Sequence, residues 1–432
     1  MKKRVLVCSI PCWNKSSGSD TFSSLLEGYD VESIANLYIR EEVPDSNVCH
    51  NYFRISENAV IKSIVKRKIK TGKQIITTHS EAADDNEKNA QISKQRYKKY
   101  SAKRNWILIF AREILWKLGN WKTKELNNFI DEFNPDVVFF AMEGYIHFNN
   151  IVKYILKRTG AKGIGYFWDD NFTYKQSRRL GHNLFRFFQR KSLKSLVKKC
   201  VHFFAISPKT KKEADEFFDI DCELLTKPID FSGVEFEKYT PNQPVKMLYT
   251  GKLIIGRYDT IKLIGKALDE INKDDVKIEL DIYTTTEIEN KSDLSPYVHI
   301  LGAIPQTEVA KVQKEADVLL FAEAIDGGNA KIARLSFSTK LTDYFRSGKC
   351  IFAVGNSDIA PMEYLKNGDA AIVATNYSEI LSGLNSLVQN PNTICEYAQK
   401  AFECGQRNHN KKDVQARLFN KFNALIEQST LR

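Results

Sequence analysis

Two segments of the chain place cations and hydroxyl groups where a phosphate would bind. The segment 249–257 reads YTGKLIIGR, in which an apolar run ends at Gly251 and the cations Lys252 and Arg257 follow. A strand that ends in glycine and leads into a helix directs free backbone N–H groups and the positive end of the helix dipole to one point. Lys252 and Arg257 would add two positive charges there, which suits a diphosphate. By itself the pattern fits an ordinary strand–helix turn better, because short glycine patterns are common.

The second segment, 336–349, reads SFSTKLTDYFRSGK. Ser338 and Thr339 before an amphipathic run are typical of a helix N-terminus, so Thr339 and Lys340 are predicted in the first helical turn. The helix dipole disfavours a cation at that place, and a bound anion would remove the mismatch. Asp343 lies one turn further, where a carboxylate can accept hydrogen bonds from a ribose diol. A capped helix without a ligand is the alternative, and it leaves Lys340 unexplained.

The elements that position these segments alternate between short apolar β-runs and longer helical runs. This alternation is typical of parallel sheets with crossover helices. The predicted strands are 4–10, 136–141, 162–168, 202–207, 246–249, 277–283, 298–301, 318–322, 350–354 and 370–374, and the predicted helices include 56–72, 90–119 and 180–199. Proline and glycine interrupt the stretch 228–244, which lacks clear periodicity and predicts a linker. We therefore predict two doubly wound α/β domains, 1–230 and 246–410, joined by the linker 231–245.

Length and composition exclude several classes of protein. The chain has 432 residues, 43% of them hydrophobic and 11% aromatic, which suits two domains of about 200 residues and excludes wholesale disorder. No run approaches the roughly 18 consecutive apolar residues that a membrane-spanning helix needs. The eight cysteines are scattered without paired metal-ligand spacing, which favours reduced thiols over disulfides or a zinc site. We expect a cytoplasmic protein.

Positive charge is concentrated in the first half of the chain. Residues 1–230 hold 40 of the 64 basic side chains but 27 of the 53 acidic ones. The stretch 175–212 has twelve basic residues and no acidic one, interleaved with apolar residues such as Leu184 and Phe188, and the stretch 94–124 combines basic residues with tryptophans. Such helices suit adsorption to an anionic membrane surface, with each cation contributing about 1 kcal/mol. The alternative is a solvated face over an apolar core. Nucleic acid is not expected as a partner, because no binding module is recognised.

Four stretches, two of which overlap the segments described above, occur in this order along the chain: MLYTGKL, VHILGAIPQTEVAKVQKEADVLLFA, STKLTDYFRSGKCIFAVG and NGDAAIVATNYSEILSGL. Together they resemble the C-terminal, donor-binding domain of the two-Rossmann (GT-B) glycosyltransferases, especially the retaining group-1 branch, family four. The resemblance covers residues 200–405, and the N-terminal half is similar in architecture only. It implies two Rossmann-like doubly wound domains that face a central cleft, with a last helix, at 411–432, that crosses back onto the first domain.

The resemblance also assigns residues to the sugar donor. The implied ligands of the donor diphosphate are Gly251, Lys252, Arg257, Ser338, Thr339 and Lys340. Asp343 falls where the family has the second glutamate of its Glu-x7-Glu motif, and an aspartate there can still reach a ribose. The first glutamate of the motif falls on Leu335, which cannot replace it, so Glu323 or Asp326 would approach the sugar instead.

In the N-terminal half the resemblance points to two places. Gly18, in the sequence Ser-Gly-Ser, lies where the family has a glycine-rich turn, which implies a donor ligand. The stretch 166–170, YFWDD, ends a strand where the family often has a catalytic-site histidine, and this sequence has none there. Asp169 and Asp170 are therefore the candidates for orienting an acceptor hydroxyl, and together with Lys340 they are the predicted catalytic residues. A turn with a helix cap is the alternative for both aspartates.

The predicted function is transfer of a hexose-type sugar from a nucleoside-diphosphate-sugar, expected to be a UDP-sugar, to a lipid-linked saccharide or cell-surface polysaccharide. The resemblance implies retention of the anomeric configuration through an oxocarbenium-like state. Lys252, Arg257, Lys340 and helix N-termini would stabilise the departing diphosphate, so no metal is required. The protein would act in the cytoplasm, at the inner face of the membrane. A non-catalytic partner of another transferase and a nucleotide-sugar epimerase are the alternatives.

Overall fold

The computed structural model describes residues 3–13, 21–77, 106–177, 180–288 and 291–430. The chain divides into two compact units, each built on one sheet. Unit 1 consists of Met1–Ile206, Lys211–Leu225 and Gln415–Arg432, and unit 2 consists of Ser207–Thr210 and Thr226–Val414. The two predicted doubly wound α/β domains are therefore confirmed as a fold class.

The sheet of unit 1 consists of β1 (Val5–Ser9), β2 (Ile34–Tyr38), β3 (Asn51–Ile55), β4 (Gly72–Ile76), β5 (Val137–Ala141), β6 (Lys162–Phe167), β7 (Cys200–Ala205) and β8 (Glu223–Leu224). Their order is β4-β3-β2-β1-β5-β6-β7-β8. β4 is antiparallel to β3, and the other pairs are parallel. β1 and β5 are buried along their whole length, as the central strands of a sheet covered on both faces must be. The strand order reverses between β1 and β5.

Helices connect these strands. They are α1 (Thr21–Leu26), α2 (Glu57–Ser63), α3 (Trp106–Leu118), α4 (Lys124–Phe133), α5 (Ile146–Thr159), α6 (Leu180–Val197) and α7 (Pro208–Phe218), with a 3-10 turn at Val31–Ser33. Ser56 and Thr123 cap α2 and α4 by accepting a hydrogen bond from an N–H of the first turn.

Unit 2 has a sheet of six parallel strands. They are β9 (Val245–Thr250), β10 (Ile278–Tyr283), β11 (Val298–Gly302), β12 (Val318–Ala322), β13 (Cys350–Val354) and β14 (Ile372–Ala374). The order β11-β10-β9-β12-β13-β14 is that of a Rossmann fold, and it reverses between β9 and β12. Ligands of doubly wound proteins bind outside the carboxyl ends of the strands at such a reversal.

The helices of the second half are α8 (Arg257–Ile271), α9 (Gln306–Glu315), α10 (Gly327–Ala330), α11 (Lys340–Ser347), α12 (Ala360–Asn367), α13 (Tyr377–Gln389), α14 (Asn392–His409) and α15 (Lys411–Thr430), with a 3-10 turn at Lys291–Asp293. From Gln415 onward α15 belongs to unit 1, where the Gln415 amide donates to the carbonyls of Ser24 and Glu27 at 2.9 and 2.6 Å. Within the described part of the chain, no helix combines the length and the apolarity that a bilayer crossing requires.

The structure corrects the predictions for the first half of the chain, which contain no strand at β2, β3, β4 or β8. Asn36 interrupts the apolar run of β2, and its buried amide donates to the Val7 carbonyl and the Ser9 hydroxyl at 3.3 and 3.0 Å. The helix predicted over 56–72 is wrong beyond Ser63, because the chain turns there and continues into β4. Of the helix predicted over 90–119, the structure contains Trp106–Leu118, and residues 90–105 lie outside the described residues.

Candidate functional site

Three ionisable side chains meet where the strand order of unit 2 reverses. Arg257 begins α8, which follows β9; Glu323 follows the last residue of β12; and Lys340 begins α11. Because β9 and β12 are parallel neighbours, their carboxyl ends lie at the same edge of the sheet. We call Arg257, Glu323 and Lys340 the cation cluster. These residues are far apart in sequence, and the order of the strands brings them together.

Arg257 and Glu323 form a bidentate ion pair. Nε of Arg257 donates to Oε2 of Glu323 at 3.1 Å, and Nη2 donates to Oε1 at 2.7 Å. The two side chains are 18% and 6% exposed. Burial lowers the pKa of Arg257, but the charge and hydrogen bonds of Glu323 outweigh it, so that the pKa is raised overall. The guanidinium is therefore a permanent cation with a fixed orientation. The structure pairs Glu323 with Arg257, whereas the sequence predicted Glu323 near a sugar.

Lys340 adds a second cation that can lose its proton. Its Nζ donates to the Tyr249 hydroxyl at 3.1 Å and lies 4.3 Å from the centre of the Tyr249 ring. Burial and, to a smaller extent, the positive charge of Arg257 lower the pKa of Lys340 to about 8, while Glu323 opposes both effects. An anion bound beside this ammonium would raise its pKa again. The sequence places a lysine in the first turn of a helix, where the helix dipole disfavours a cation. In the structure too, the charged form of this lysine is destabilised.

Two glycines make room for the cluster. Gly251 has φ +145°, and a Cβ at this position would lie 2.6 Å from Cε of Lys340. Gly256 precedes Arg257 with φ +76°, and a Cβ there would lie 2.8 Å from the Cβ of Ala324. L-residues rarely adopt these backbone angles, so both positions require glycine for conformation and for space.

The other predicted donor ligands differ in their exposure to solvent. Lys252 is exposed, and Ser338 and Thr339 are half-buried beside Lys340. Thr339 occupies the N-cap position of α11 but makes no side-chain capping hydrogen bond. Asp343 is exposed and lines a groove of about 610 Å³ together with residues of 232–239, α9 and the C-terminal half of α11. Gly18 lies outside the described residues.

Asp326 and Leu335 both have structural roles in unit 2. Asp326 accepts hydrogen bonds from the backbone N–H groups of Gly328 and Asn329 at 2.9 and 2.8 Å, and these bonds lower its pKa. Leu335 is fully buried, and its carbonyl accepts a hydrogen bond from the Thr210 hydroxyl at 3.3 Å. Position 335 is therefore a packing position in this chain.

In unit 1 the two predicted aspartates, both of which follow β6, have different environments. Asp170 is buried, accepts a hydrogen bond from the N–H of Thr173 at 2.9 Å and also contacts the Thr173 hydroxyl. It caps the turn, as the alternative interpretation of the sequence has it. Asp169 is half-buried, and its Oδ1 accepts a hydrogen bond from the N–H of Asp170 at 2.8 Å.

Sequence reasoning missed a third carboxylate in unit 1, Glu143, which follows β5. Burial and, to a smaller extent, the negative charge of Asp169 raise the pKa of Glu143 to about 7, while Arg40 opposes this shift. The signal in the sequence is a single acidic residue directly after the apolar run VVFFAM. Among the described residues, no group of three or more His, Cys, Asp or Glu side chains is arranged to hold a metal ion.

Comparison with known proteins gives no match by sequence and several by structure. No protein-family profile and no curated protein matches the chain. HepE of Anabaena, solved in complex with UDP and glucose, is similar with a TM-score of 0.59 and 8% identity, over 98% of this chain and 100% of the other. Sucrose-phosphate synthase of Thermosynechococcus elongatus has a TM-score of 0.60 and 9% identity, over 99% and 100%.

A third similar structure is WaaB, a lipopolysaccharide outer core galactosyltransferase in its apo form. Its TM-score is 0.56 and its identity 13%, over 99% of this chain and 100% of the other. The coverage is nearly complete for all three structures, and the identities are low, so the likeness concerns the fold. The chain has the GT-B fold of these glycosyltransferases.

The electrostatic coupling within the cation cluster is directly measurable. We expect Lys340 to titrate near pH 8, because it is buried beside Arg257. Arg257→Gln should raise this pKa by about 1 unit and Glu323→Gln should lower it by a similar amount, since the two neighbours carry opposite charges. NMR titration of 13C-labelled lysine side chains, with Lys340→Arg to assign the signal, gives the three values. Shifts in the same direction in both variants would contradict the arrangement.

Gly251→Ala tests whether the glycine is needed for the position of Lys340. The added Cβ should displace the lysine towards water and return its pKa towards the ordinary range. Gly302→Ala is the matched control, because Gly302 has φ +85° and a Cβ there meets nothing within 4 Å. We expect each variant to lose about 1–3 kcal/mol of unfolding free energy from the backbone conformation. A Lys340 pKa that stays near 8 in Gly251→Ala would show that the close approach does not hold the lysine.

Proposed function

We propose that the protein is a glycosyltransferase that uses a nucleotide-sugar, with a UDP-sugar as the donor and unit 2 as the donor-binding unit. The observation that carries this proposal is the cation cluster at the strand reversal of unit 2. It combines one fixed cation, one titratable cation and the N-terminus of α8. A diphosphate suits all three, because it supplies negative charge to the cations and hydrogen-bond acceptors to the N-terminus of α8.

The same residues suit the departure of a nucleoside diphosphate. Negative charge develops on the phosphate oxygen as the bond to the anomeric carbon breaks, and fixed cations stabilise that charge without reorganising. The growing negative charge would also hold Lys340 in its protonated form. In this proposal the protein's own cations neutralise the leaving group, so transfer proceeds without a bound metal.

For the acceptor we propose a lipid-linked saccharide or a growing cell-surface polysaccharide that binds to unit 1, and a product that retains the anomeric configuration. WaaB, which has the same fold, is described as acting on the lipopolysaccharide outer core, and HepE was solved with UDP and glucose. Retention rests on the resemblance of 200–405 to the retaining branch. The buried Leu335 stands in the place of a family glutamate. The configuration of the product therefore has to be measured separately from transfer itself.

Nucleotide binding is the first test. We expect UDP to bind more tightly than GDP, CDP or ADP in calorimetry, and Lys340→Ala to weaken UDP binding by 1.5–3 kcal/mol, or roughly 10- to 150-fold. Binding requires protonated Lys340, so affinity should fall above pH 8, by at most roughly tenfold per pH unit. Lys340→Arg keeps its charge at every accessible pH and should remove this dependence. Absence of binding by any nucleotide would contradict the proposal and favour a non-catalytic partner.

Measurement of turnover distinguishes a transferase from an epimerase and from a non-catalytic partner. UDP-glucose, UDP-galactose and UDP-N-acetylglucosamine would be incubated with a panel of octyl glycosides, and released UDP and products would be measured. A transferase releases UDP in an acceptor-dependent way. Conversion of the donor sugar without an acceptor would indicate an epimerase, and UDP binding without any turnover would indicate a non-catalytic partner.

We further propose that unit 1 contacts an anionic membrane surface through α3 and α6. These helices expose large apolar side chains, among them Leu118 at 64%, Leu180 at 86% and Phe187 at 53%. Other apolar residues of the same helices, such as Phe185, are buried in unit 1. The combination of exposed apolar groups with a basic sequence supports adsorption to acidic lipids.

Vesicle co-sedimentation tests this surface. We expect binding to vesicles that contain phosphatidylglycerol, weak binding to phosphatidylcholine alone, and loss of binding as salt increases. The double change Leu184→Ser and Phe187→Ser on α6 should weaken binding about tenfold or more. Ile76→Ser, at a residue that is 56% exposed on β4, is the control and should bind like the wild type. Equal binding of all three proteins to neutral and acidic vesicles would contradict the proposal.

A further inference from the structure

Glu143 and Asp169 form a carboxyl pair at the strand reversal of unit 1. β5 and β6 are parallel neighbours, with Ala141 opposite Tyr166, and the two acids follow the carboxyl ends of these strands. The other neighbour of β5 is β1, so Glu143 stands at the point where the strand order reverses. Doubly wound sheets bind their ligands at this kind of place.

The backbone around Glu143 is held by side-chain amides. Three consecutive carbonyls each accept one hydrogen bond: Met142 from Asn171 at 3.2 Å, Glu143 from Asn149 at 3.2 Å, and Gly144 from Gln189 at 2.6 Å. The three donors come from the turn after β6, from α5 and from α6. A Cβ on Gly144 would lie 2.8 Å from Nε2 of Gln189, so glycine permits this arrangement. The turn is therefore rigid, and the direction in which it presents Glu143 is fixed.

The side-chain carboxylate of Glu143 differs from this backbone in its hydrogen bonding. Within the described part of the chain it accepts no hydrogen bond and joins no ion pair. It is half-buried, and a carboxylate in such a place is destabilised when ionised. The charged groups that act on it are Asp169, which raises its pKa together with burial, and Arg40, which lowers it. A carboxyl group that titrates near neutral pH can both take up and release a proton.

We propose that Glu143 is the general base that receives the proton of the acceptor hydroxyl, and that Asp169 is a positioning residue that acts through Glu143. This inference rests on the proposed glycosyltransferase function and deepens it. The acceptor O–H bond breaks and its proton goes to a carboxylate oxygen of Glu143. The hydroxyl oxygen forms a bond to the anomeric carbon, and the bond from that carbon to the phosphate oxygen breaks. Its electron pair leaves with the nucleoside diphosphate.

The proton must leave the hydroxyl whether the product retains or inverts its configuration, so a proton acceptor is needed in both cases. A purely structural role of Glu143 predicts a different effect of its replacement on stability. If Glu143 only supported the fold, its replacement would lower stability. Instead, loss of the negative charge in Glu143→Gln should leave the melting temperature at pH 8 unchanged or higher, because the raised pKa means that the ionised side chain destabilises the folded state above pH 7.

The experiment compares Glu143→Gln, Asp169→Asn and the control Glu132→Gln, which changes an exposed acid on α4. UDP affinity, melting temperature and kcat with UDP-glucose and the octyl glycoside panel are measured from pH 5 to 9. We expect Glu143→Gln to keep UDP affinity within about twofold and to lower kcat about 10²- to 10⁴-fold. The acid limb of the kcat profile should disappear in this variant, and in Asp169→Asn it should move to lower pH, because a like charge has been removed.

Two outcomes would overturn the assignment in distinguishable ways. If the wild type transfers sugar and Glu143→Gln transfers it equally well, or loses activity together with its melting temperature, the base is elsewhere and the proposed function stands. If the wild type binds no UDP or shows no turnover with the panel, the proposed function fails and the role of Glu143 fails with it.

Discussion

The ion pair between Arg257 and Glu323 is the interaction on which the site of unit 2 depends. It joins the helix after β9 to the end of β12, the two strands between which the sheet order reverses. A buried guanidinium without its carboxylate would be strongly unfavourable, so the pair fixes one cation in place. Lys340 is then held against that cation with a lowered pKa. Gly251 leaves the space in which this close approach is possible.

The strand order of each sheet reverses once, and the two reversals have opposite electrostatics. At its strand reversal unit 2 gathers two cations and one acid, and the pKa of Lys340 is lowered. At its own reversal unit 1 gathers Glu143 and Asp169, and the pKa of Glu143 is raised. The first arrangement favours an anionic ligand, and the second favours a proton acceptor. In both units the electrostatic strain is tolerated because rigid strands, tight turns and backbone hydrogen bonds hold the side chains in place.

The sequence was most informative where local geometry decides the outcome. Lys340 stood out because a first-turn lysine conflicts with the helix dipole, and Gly251 and Arg257 stood out because a strand ends in glycine before a helix. The Arg257–Glu323 pair and the carboxyl pair were not predictable in this way, because they depend on which strands become neighbours. β2 escaped prediction since Asn36 breaks its apolar pattern. Asp169 and Asp170 are adjacent in sequence, and only the structure shows that Asp170 caps the turn.

A crystal structure of the protein with UDP would test the central claim most directly. The account predicts that the diphosphate lies within hydrogen-bond distance of Nζ of Lys340 and beside the N-terminus of α8, with Arg257 still paired to Glu323. UDP bound elsewhere, with the cation cluster unchanged and free of phosphate, would contradict the account.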